Sequence, residues 1–564
     1  MNSTFKIKLL SSLEKVFLDD KLDDKKTISK ASMLRNERYS FQVAYTETDK
    51  VILSRRIGTF EMKSDIKHCI KTRKVELVPS QMPTYSNYDE NYLRVIPGLY
   101  PDPLVDIDEC GHLYFVTNQL RSLWITIELN SQISKGNHDI EVIFYDEEKQ
   151  ILANEIFNID IIDALLPNQD LIFTQWLHCD CLALEYKVAI FSNEHWKLIE
   201  NYIKTAVKNG INMILTPIFT PPLDTAIDGE RPTVQLVDVY KNEPEKYTFN
   251  FDMLKKWIDL CHECGVEYFE ISHLFTQWGA KHAPKIMAVE NGEYKKIFGW
   301  DTDSVSEEYK LFLHVFLAEL IIFLKTEEIA DKCYFHISDE PSKDQIQSYI
   351  NSKAIVKDIL KDFHIMDALS DYEFYTTGAV ELPIPASNHI EKFIENKATN
   401  LWTYYCSGQW QYVSNRFFSM SSLRNRIIGT QFYKYDIVGF LHWGFNFWFN
   451  QFSIAPINPY IVTDGEFFAP SGDTFSVYPG NDGNPVESLR LVVFYEALQD
   501  LRAFKLLENL YDKGFVLKLI EENTERPITF KEYPLTDDYL LSLREKVNQA
   551  IKVKYLYSKT KITN

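Results

Sequence analysis

Two adjacent carboxylates close the run Tyr334-Phe335-His336-Ile337-Ser338-Asp339-Glu340-Pro341. Its first residues suit a strand, and Pro341 stops regular continuation because it fixes φ and has no N–H to donate. Asp339 and Glu340 are thus expected together at a strand end. If that strand belongs to a parallel barrel, its carboxyl end lies on the face that carries active sites. Two carboxyl groups held there offer a proton and a negative charge to one reacting group. On its own an Asp-Glu pair is ordinarily a solvated loop, here one that would cap a helix starting near Ser342. The rest of the chain decides between the two.

Periodicity predicts the elements that must position the pair. From Phe5 to about Ile162, polar and apolar residues alternate in short runs such as Tyr39-Ser40-Phe41-Gln42-Val43-Ala44-Tyr45, with turn residues between them. That pattern predicts an antiparallel β-sandwich over residues 1–165. After the linker Leu166-Pro167-Asn168-Gln169-Asp170, short apolar strands alternate with amphipathic helices, the rhythm of a parallel sheet. Strands are expected to begin near Leu171, Ile211, Val266, Lys332, His364, Leu401, Ile437 and Thr474. Between two of them, Trp196 to Lys208 carries Ile199, Ile203, Ala206 and Val207 on one side and ends at Asn209-Gly210, as a helix should. The expected fold class is therefore multidomain β plus α/β. The N-terminal sandwich precedes a (β/α)8 TIM-like barrel over 170–564, with a C-terminal helical extension.

The carboxyl ends of these strands collect residues of one chemical kind. They carry Trp176, His178 and Asp180; Pro217 and Phe219; His273 and Trp278; Asp339 and Glu340; Ser370 and Asp371; Tyr404 and Tyr405; Trp443, Asn446 and Trp448; Asp473 and Tyr478. Flat aromatic rings suit the C–H faces of sugars, and His, Asp and Asn bind hydroxyls, so a carbohydrate pocket is expected. Cys261-His262-Glu263-Cys264 has zinc-like spacing, and His178-Cys179-Asp180-Cys181 offers further ligands. Cys261 continues the apolar stripe of its helix, however, and no second C-x-x-C completes a four-cysteine site. No metal is expected. With neither G-x-x-x-x-G-K-[ST] nor G-x-G-x-x-G in the chain, no nucleotide cofactor is expected either.

Charge narrows the partners. The 80 acidic and 60 basic residues give a net charge of −20, which repels phosphate backbones and anionic lipid surfaces. Nucleic acid is not an expected partner. No charge-free apolar run approaches the length of a membrane helix, so no membrane insertion is expected. Met1 to Lys8 shows no apolar signal region, and the eight cysteines are scattered, which together predict a cytoplasmic protein with free thiols.

Three further stretches join the Asp-Glu motif: Gln175-Trp176-Leu177-His178-Cys179-Asp180-Cys181, Gly439-Phe440-Leu441-His442-Trp443-Gly444-Phe445-Asn446-Phe447-Trp448, and Gly472-Asp473 with Val477-Tyr478-Pro479-Gly480-Asn481-Asp482-Gly483. With them the sequence resembles glycoside hydrolase family 123, the β-N-acetylgalactosaminidases, over most of its length. The resemblance implies an N-terminal β-sandwich, a catalytic (β/α)8 barrel and no metal. It implies an exo-acting hydrolase that removes terminal β-linked N-acetylgalactosamine from a glycosphingolipid or other glycoconjugate. By that likeness Glu340 is the general acid/base and Asp339 orients and polarises the substrate's 2-acetamido group. Trp176, His178, Asp180, His273, Asp371, Tyr404, Tyr405, Trp443, Asn446, Trp448, Asp473 and Tyr478 carry over as pocket lining.

Adjacency agrees with this likeness. Retaining glycosidases hold two carboxylates about 5–5.5 Å apart across the anomeric carbon, and inverting ones about 6.5–9.5 Å. Neighbours on one strand start from almost the same point, so if Glu340 reaches the leaving oxygen, Asp339 meets a group beside the anomeric carbon. The acetamide oxygen then attacks, giving an oxazolinium intermediate and retained configuration, with Tyr404 or Tyr405 donating to the forming ring. Asp180, Asp371 and Asp473 remain rival nucleophiles. A family 20-like β-N-acetylglucosaminidase also fits the Asp-Glu pair, and a non-catalytic glycan-binding barrel is the reading from another class.

Overall fold

The computed structural model describes residues 4–48, 55–108, 111–129, 135–243 and 245–562, with side chains up to residue 556. Up to Ile162 the chain forms two five-stranded sheets. In one, Thr4–Ser11, Arg38–Thr48, Arg121–Glu128, Ile70–Ser80 and Gly98–Asp106 lie side by side, all antiparallel. In the other the order is Lys30–Leu34, Ile151–Ile162, Gly136–Tyr145, Arg55–Lys63 and His112–Val116, with only the first pair parallel.

Side chains alternate across a strand, and the first sheet uses both faces. Phe41, Val43, Leu123, Ile125 and Ile127 share a buried cluster with Met33, Ile140, Val142, Phe144 and Phe157 of the second sheet. Trp124 points the other way and packs with Leu423, Ile427, Leu489 and Val492 of the C-terminal half. Covered on both sides, Arg38–Thr48 and Arg121–Glu128 are buried almost throughout.

Eight parallel strands follow and form a nearly closed, TIM-like barrel. They are, numbered one to eight, Ile172–Gln175, Met213–Thr216, Tyr268–Ile271, Cys333–Phe335, His364–Ala368, Leu382–Ile384, Trp402–Tyr404 and Gly439–His442. Strand eight pairs with strand one, and a single bridge from Ala386 to Tyr404 spans the gap between strands six and seven. Met213, Leu215, Tyr334, Met366, Ile384, Trp402 and Leu441 form one cluster from alternate strand positions. The intervening Phe173, Ile214, Phe269, Phe335 and Phe440 pack with the surrounding helices, among them Asn193–Lys208, Asp252–Cys264, Glu307–Thr326 and Leu489–Leu510. Local signals set the helix ends. Ser192 accepts from the backbone N–H of His195 at one start, and Gly265 at φ 92 closes Asp252–Cys264 in a conformation that disfavours a side chain.

One strand differs from expectation. The run after Thr474 is not in the barrel: Val477–Pro479 pairs antiparallel with Pro485–Glu487 in a separate hairpin. The barrel's sixth strand is instead Leu382–Ile384, three residues with Pro383 in the middle. A central proline cannot donate to the sheet and ordinarily argues against a strand. Among the described residues no helix is long and apolar enough to cross a membrane.

The barrel's last helix, Leu489–Leu510, comes close enough to Ile428–Lys434 that only glycine fits at 429. A Cβ there would lie 2.1 Å from the Ala497 carbonyl oxygen. Gly429→Ala should therefore destabilise the fold by about 1–3 kcal/mol through forced separation of the helices. Denaturant unfolding checks this; an unchanged midpoint would contradict the contact.

Candidate active site

A charge buried in the barrel underlies the site. Strand three carries Glu270 among Tyr268, Phe269 and Ile271, and strand five carries Asp367 between Met366 and Ala368. His336, one residue past strand four, lies between them, with Nε2 2.7 Å from Glu270 Oε1 and Nδ1 3.1 Å from Asp367 Oδ1. All three are inaccessible to solvent. Burial pushes the His336 pKa down, but hydrogen bonds and charge from Asp367 and Glu270 outweigh it and hold it up at about 10. His336 is thus an imidazolium between two acids. Burial raises Asp367, opposed by its bond to His336. The remaining acceptor positions are filled: Thr174 Oγ1 and Trp176 Nε1 donate to Glu270 at 2.5 and 2.6 Å, and Tyr349 Oη and the N–H groups of Ile337 and Ser338 donate to Asp367.

His273 stacks on His336 with ring centroids 4.3 Å apart, and burial together with the charge on His336 holds it neutral. Donor atoms of His273, His336 and Asp367 lie within 4.8 Å of one another, a spacing a metal ion could use. Both His336 nitrogens already face carboxylates at hydrogen-bond distance, so protons fill the ligand positions of that ring.

Beyond this cluster the chain is steered residue by residue. Ser338 Oγ donates to the Thr276 carbonyl, Trp278 N–H to the Asp339 carbonyl, and Glu340 N–H to the Ala368 carbonyl. Glu340 has φ 42, left-handed backbone that a side chain adopts only when its surroundings impose it. Asp339 and Glu340 both line a cavity of about 190 Å³ with Trp176, Asp224, Trp278, Tyr404, Trp443 and Phe452 among its walls. Burial first, then the neighbouring Glu340, raises the Asp339 pKa well above the usual range. Burial also raises Glu340, while a 2.6 Å hydrogen bond from Tyr404 Oη pulls it down. By surface area Glu340 is exposed, because its carboxyl faces the cavity, so water moderates its shift. The charge of Glu340 beside it adds to burial in favouring a proton on Asp339.

The model of the glycoside hydrolase 123 catalytic domain matches residues 176–507. The chain belongs to glycoside hydrolase family 123. A family 123 glycoside hydrolase from Clostridium perfringens, studied for glycolipid glycan hydrolysis, superposes with a TM-score of 0.74 at 16% identity, covering 99% of this chain and 100% of that one. A β-glucuronidase from Parabacteroides merdae is far less alike, with a TM-score of 0.29 at 11% identity over 86% of this chain and 51% of that one. No curated protein matches.

Set in this family 123 hydrolase, the residues singled out in the sequence fall into two groups. Trp176, Trp278, Asp339, Glu340, Tyr404 and Trp443 line the cavity, and Asp371 lines a larger one next to it. His178, Asp180, His273, Tyr405, Asn446, Trp448, Asp473 and Tyr478 are buried and line neither. Asp180 receives two 2.7 Å hydrogen bonds from Arg231, and Arg231 also donates to His178 Nδ1. Burial, then Arg231, lowers the His178 pKa to about 3, so its neutral ring donates through Nε2 to the Trp443 carbonyl. Asn446 clamps both backbone groups of His178. Asp473 accepts from Trp443 Nε1 at 3.1 Å, and burial raises its pKa to about 7. Tyr405 donates to Asn425, Trp448 to the Val477 carbonyl and Tyr478 to Asp102. These side chains hold the walls, Trp443 above all.

Sequence reasoning missed Asp224, Gln277, Cys406, Ser407, Gln451 and Phe452 of the cavity wall. Gln451 and Phe452 lie in a three-residue 3-10 helix and the others on irregular loops, too short or too irregular for periodicity to carry a signal. Glu270 and Asp367 were missed too, although each is the one acid of its strand and is flanked by apolar residues. That was a usable signal, since a buried charge requires a partner.

Asp367→Asn would leave the His336 cation with one counter-charge. The fold should lose about 3–5 kcal/mol, the usual cost of breaking a buried ion pair. The His336 pKa should fall as its partner is lost, which an NMR titration of that ring would report; an unmoved titration would contradict the imidazolium assignment.

Proposed function

We propose that this family 123 hydrolase is an exo-acting β-N-acetylgalactosaminidase that removes a terminal β-linked sugar with retention, using the substrate's own acetamide as nucleophile. One observation carries the reading: two carboxyl groups adjacent in the chain line one small aromatic-walled cavity, with Tyr404 bonded to the second. Such a pair serves two atoms on the same side of a sugar, the bridging oxygen and the 2-acetamido group. Glu340, its pKa raised by burial, donates the proton to the departing oxygen. The amide N–H docks on Asp339 and favours its ionised form, leaving the proton needed for catalysis on Glu340. As the acetamide oxygen attacks the anomeric carbon, positive charge spreads to the amide nitrogen, where ionised Asp339 stabilises it more than in the ground state. Water then opens the oxazolinium with Glu340 as base.

The choice of N-acetylgalactosamine draws on the family resemblance, and Ser407 and Gln451 are the wall residues we assign to its hydroxyls. We read the two N-terminal sheets as a β-sandwich over residues 1–165 that buttresses the catalytic unit at 170–564. A second reading has a specific basis. Asp224 lines the same cavity, and burial raises its pKa to about 6, which would suit a separate base or nucleophile.

An assay of aryl β-N-acetylgalactosaminide against the matched glucosaminide tests the assignment; equal rates would defeat the substrate choice. Asp339→Asn should lower kcat by orders of magnitude, and a thiazoline mimic of the intermediate should bind wild type tightly and this variant poorly. Glu340→Gln should lose about 10²–10⁴ on natural glycosides and less on aryl substrates with good leaving groups. NMR of the first-formed anomer should show retention. Inversion, or a sugar ester trapped on Asp224, would replace substrate assistance by the Asp224 reading.

Tyr404→Phe removes the donor that pulls Glu340 down. Because Glu340 acts while protonated, the alkaline limb of kcat/KM should move to higher pH, with a loss of about tenfold at the optimum. An alkaline limb that stays in place would separate Tyr404 from the acid.

A further inference from the structure

We propose that the outer face of the helix Glu307–Thr326 pairs antiparallel with the same helix of a second copy of this chain, making a two-fold dimer. The helix is apolar on both sides. Its inner face buries Phe312, Leu313, Phe316, Leu317, Leu320 and Leu324. Four more apolar residues form a second stripe, with Ala318 and Ile322 exposed and Leu311 and Val315 half-buried. At about 3.6 residues per turn this stripe lies nearly opposite the buried one. Ile321 and Phe323 pack on the main core, whereas Ile322 between them is 61% exposed. A helix that is hydrophobic all round is ordinarily covered all round. None of the four residues lines the cavity of Asp339 and Glu340, so the pairing is independent of the proposed activity.

Spacing and charge choose the occupant. From Leu311 to Val315, Ala318 and Ile322 the intervals alternate as in a coiled-coil seam. One further step each way reaches Glu308 near the start of the helix and Lys325 near its end, both exposed. Turned end for end about an axis between Phe316 and Leu317, the seam matches itself. Leu311 then meets the partner's Ile322, Val315 the partner's Ala318, and Glu308 the partner's Lys325. A parallel pair would instead set acid against acid and base against base, which is repulsive. Glu308 binds Lys241 of its own chain at 3.0 Å through Oε1, which leaves its second oxygen for the partner. Glu307, Glu308 and Glu319 beside the stripe repel anionic lipid, so the seam suits protein better than a membrane surface.

The seam is short. Stable interfaces bury about 1,200–2,000 Å² in total, and one helix pair buries less, so the dimer should form at micromolar concentration.

Sedimentation equilibrium of the full chain tests the pairing. The average mass should move from that of one chain towards that of two between about 1 and about 100 μM. Ile322→Glu should weaken association about a hundredfold, because the lost apolar contact occurs twice across the axis. Lys325→Glu sets like charges together at both ends and should weaken it about tenfold, as should Glu308→Lys. Combining the two exchanges restores opposite charges and should recover wild-type association. Thermal unfolding confirms the fold of each variant. A single-chain mass at every concentration, a dimer indifferent to Ile322→Glu, or a combined variant no better than the single ones would overturn the pairing. Uptake of a monomeric wild type by phosphatidylcholine vesicles would overturn it in favour of a lipid surface.

Discussion

One cation shared by two acids, in an interior that excludes water, fixes the architecture of this site. Glu270, His336 and Asp367 come from three neighbouring barrel strands or their ends, and each would be costly to bury alone. Their mutual hydrogen bonds require strands three, four and five in one register, and Thr174 and Trp176 tie strand one to the same carboxylate. A buried ion pair of this kind adds little net stability relative to a well-packed apolar core, because desolvation opposes attraction. Its consequence here is positional. The N–H groups of Ile337 and Ser338 bind Asp367, so the backbone leading to Asp339 and Glu340 has one available path.

That path explains the strain concentrated around the cavity. Asp224, Trp278, Glu340 and Phe452 all line it and all have positive φ, at 40, 59, 42 and 62. None is glycine, so each conformation persists only where surrounding bonds enforce it. Phe452 N–H donates to Asp224 Oδ2, Asp224 N–H to Gln277 Oε1, and Trp278 packs edge-on against Phe452 at 5.9 Å. The rim is a cross-braced set of loops, stiff enough to present side chains at set positions rather than to search for them.

The legible parts of the sequence were those governed by period and by local punctuation. Seven of the eight barrel strands announced themselves as short apolar runs between amphipathic helices, and the Asp339-Glu340 pair stood out between such a run and Pro341, although strand four already ends at Phe335 and the pair lies on the loop beyond it. Leu382–Ile384 gave no such signal, being three residues long with a proline at its centre. Residue type alone misassigned the second layer. His178 and Asp180 have the chemistry of sugar ligands, but Arg231, distant in sequence, consumes both. Likewise Asp473 serves Trp443 from behind. A strand-end position says that a side chain is near the site; which long-range partner it meets decides whether it faces substrate.

The division of labour we propose for Asp339 and Glu340 follows from what each can see. Asp339 lies above the His336 cluster, whose cation lowers its pKa and whose two acids raise it, with burial the largest influence. Left alone it gains little from being ionised. Glu340 faces the open side and receives a donor from Tyr404, which favours its anion. By themselves these influences oppose the charge distribution that the proposed reaction needs, an ionised Asp339 and a protonated Glu340. In that proposal an acetamide N–H would reverse the bias by giving Asp339 a donor that burial denies it, while Glu340 would keep its proton until the glycosidic oxygen beside it accepts it. In the proposed reaction, substrates without the acetamide would forfeit both the nucleophile and this redistribution, which would make recognition of the 2-substituent and activation of the acid one event.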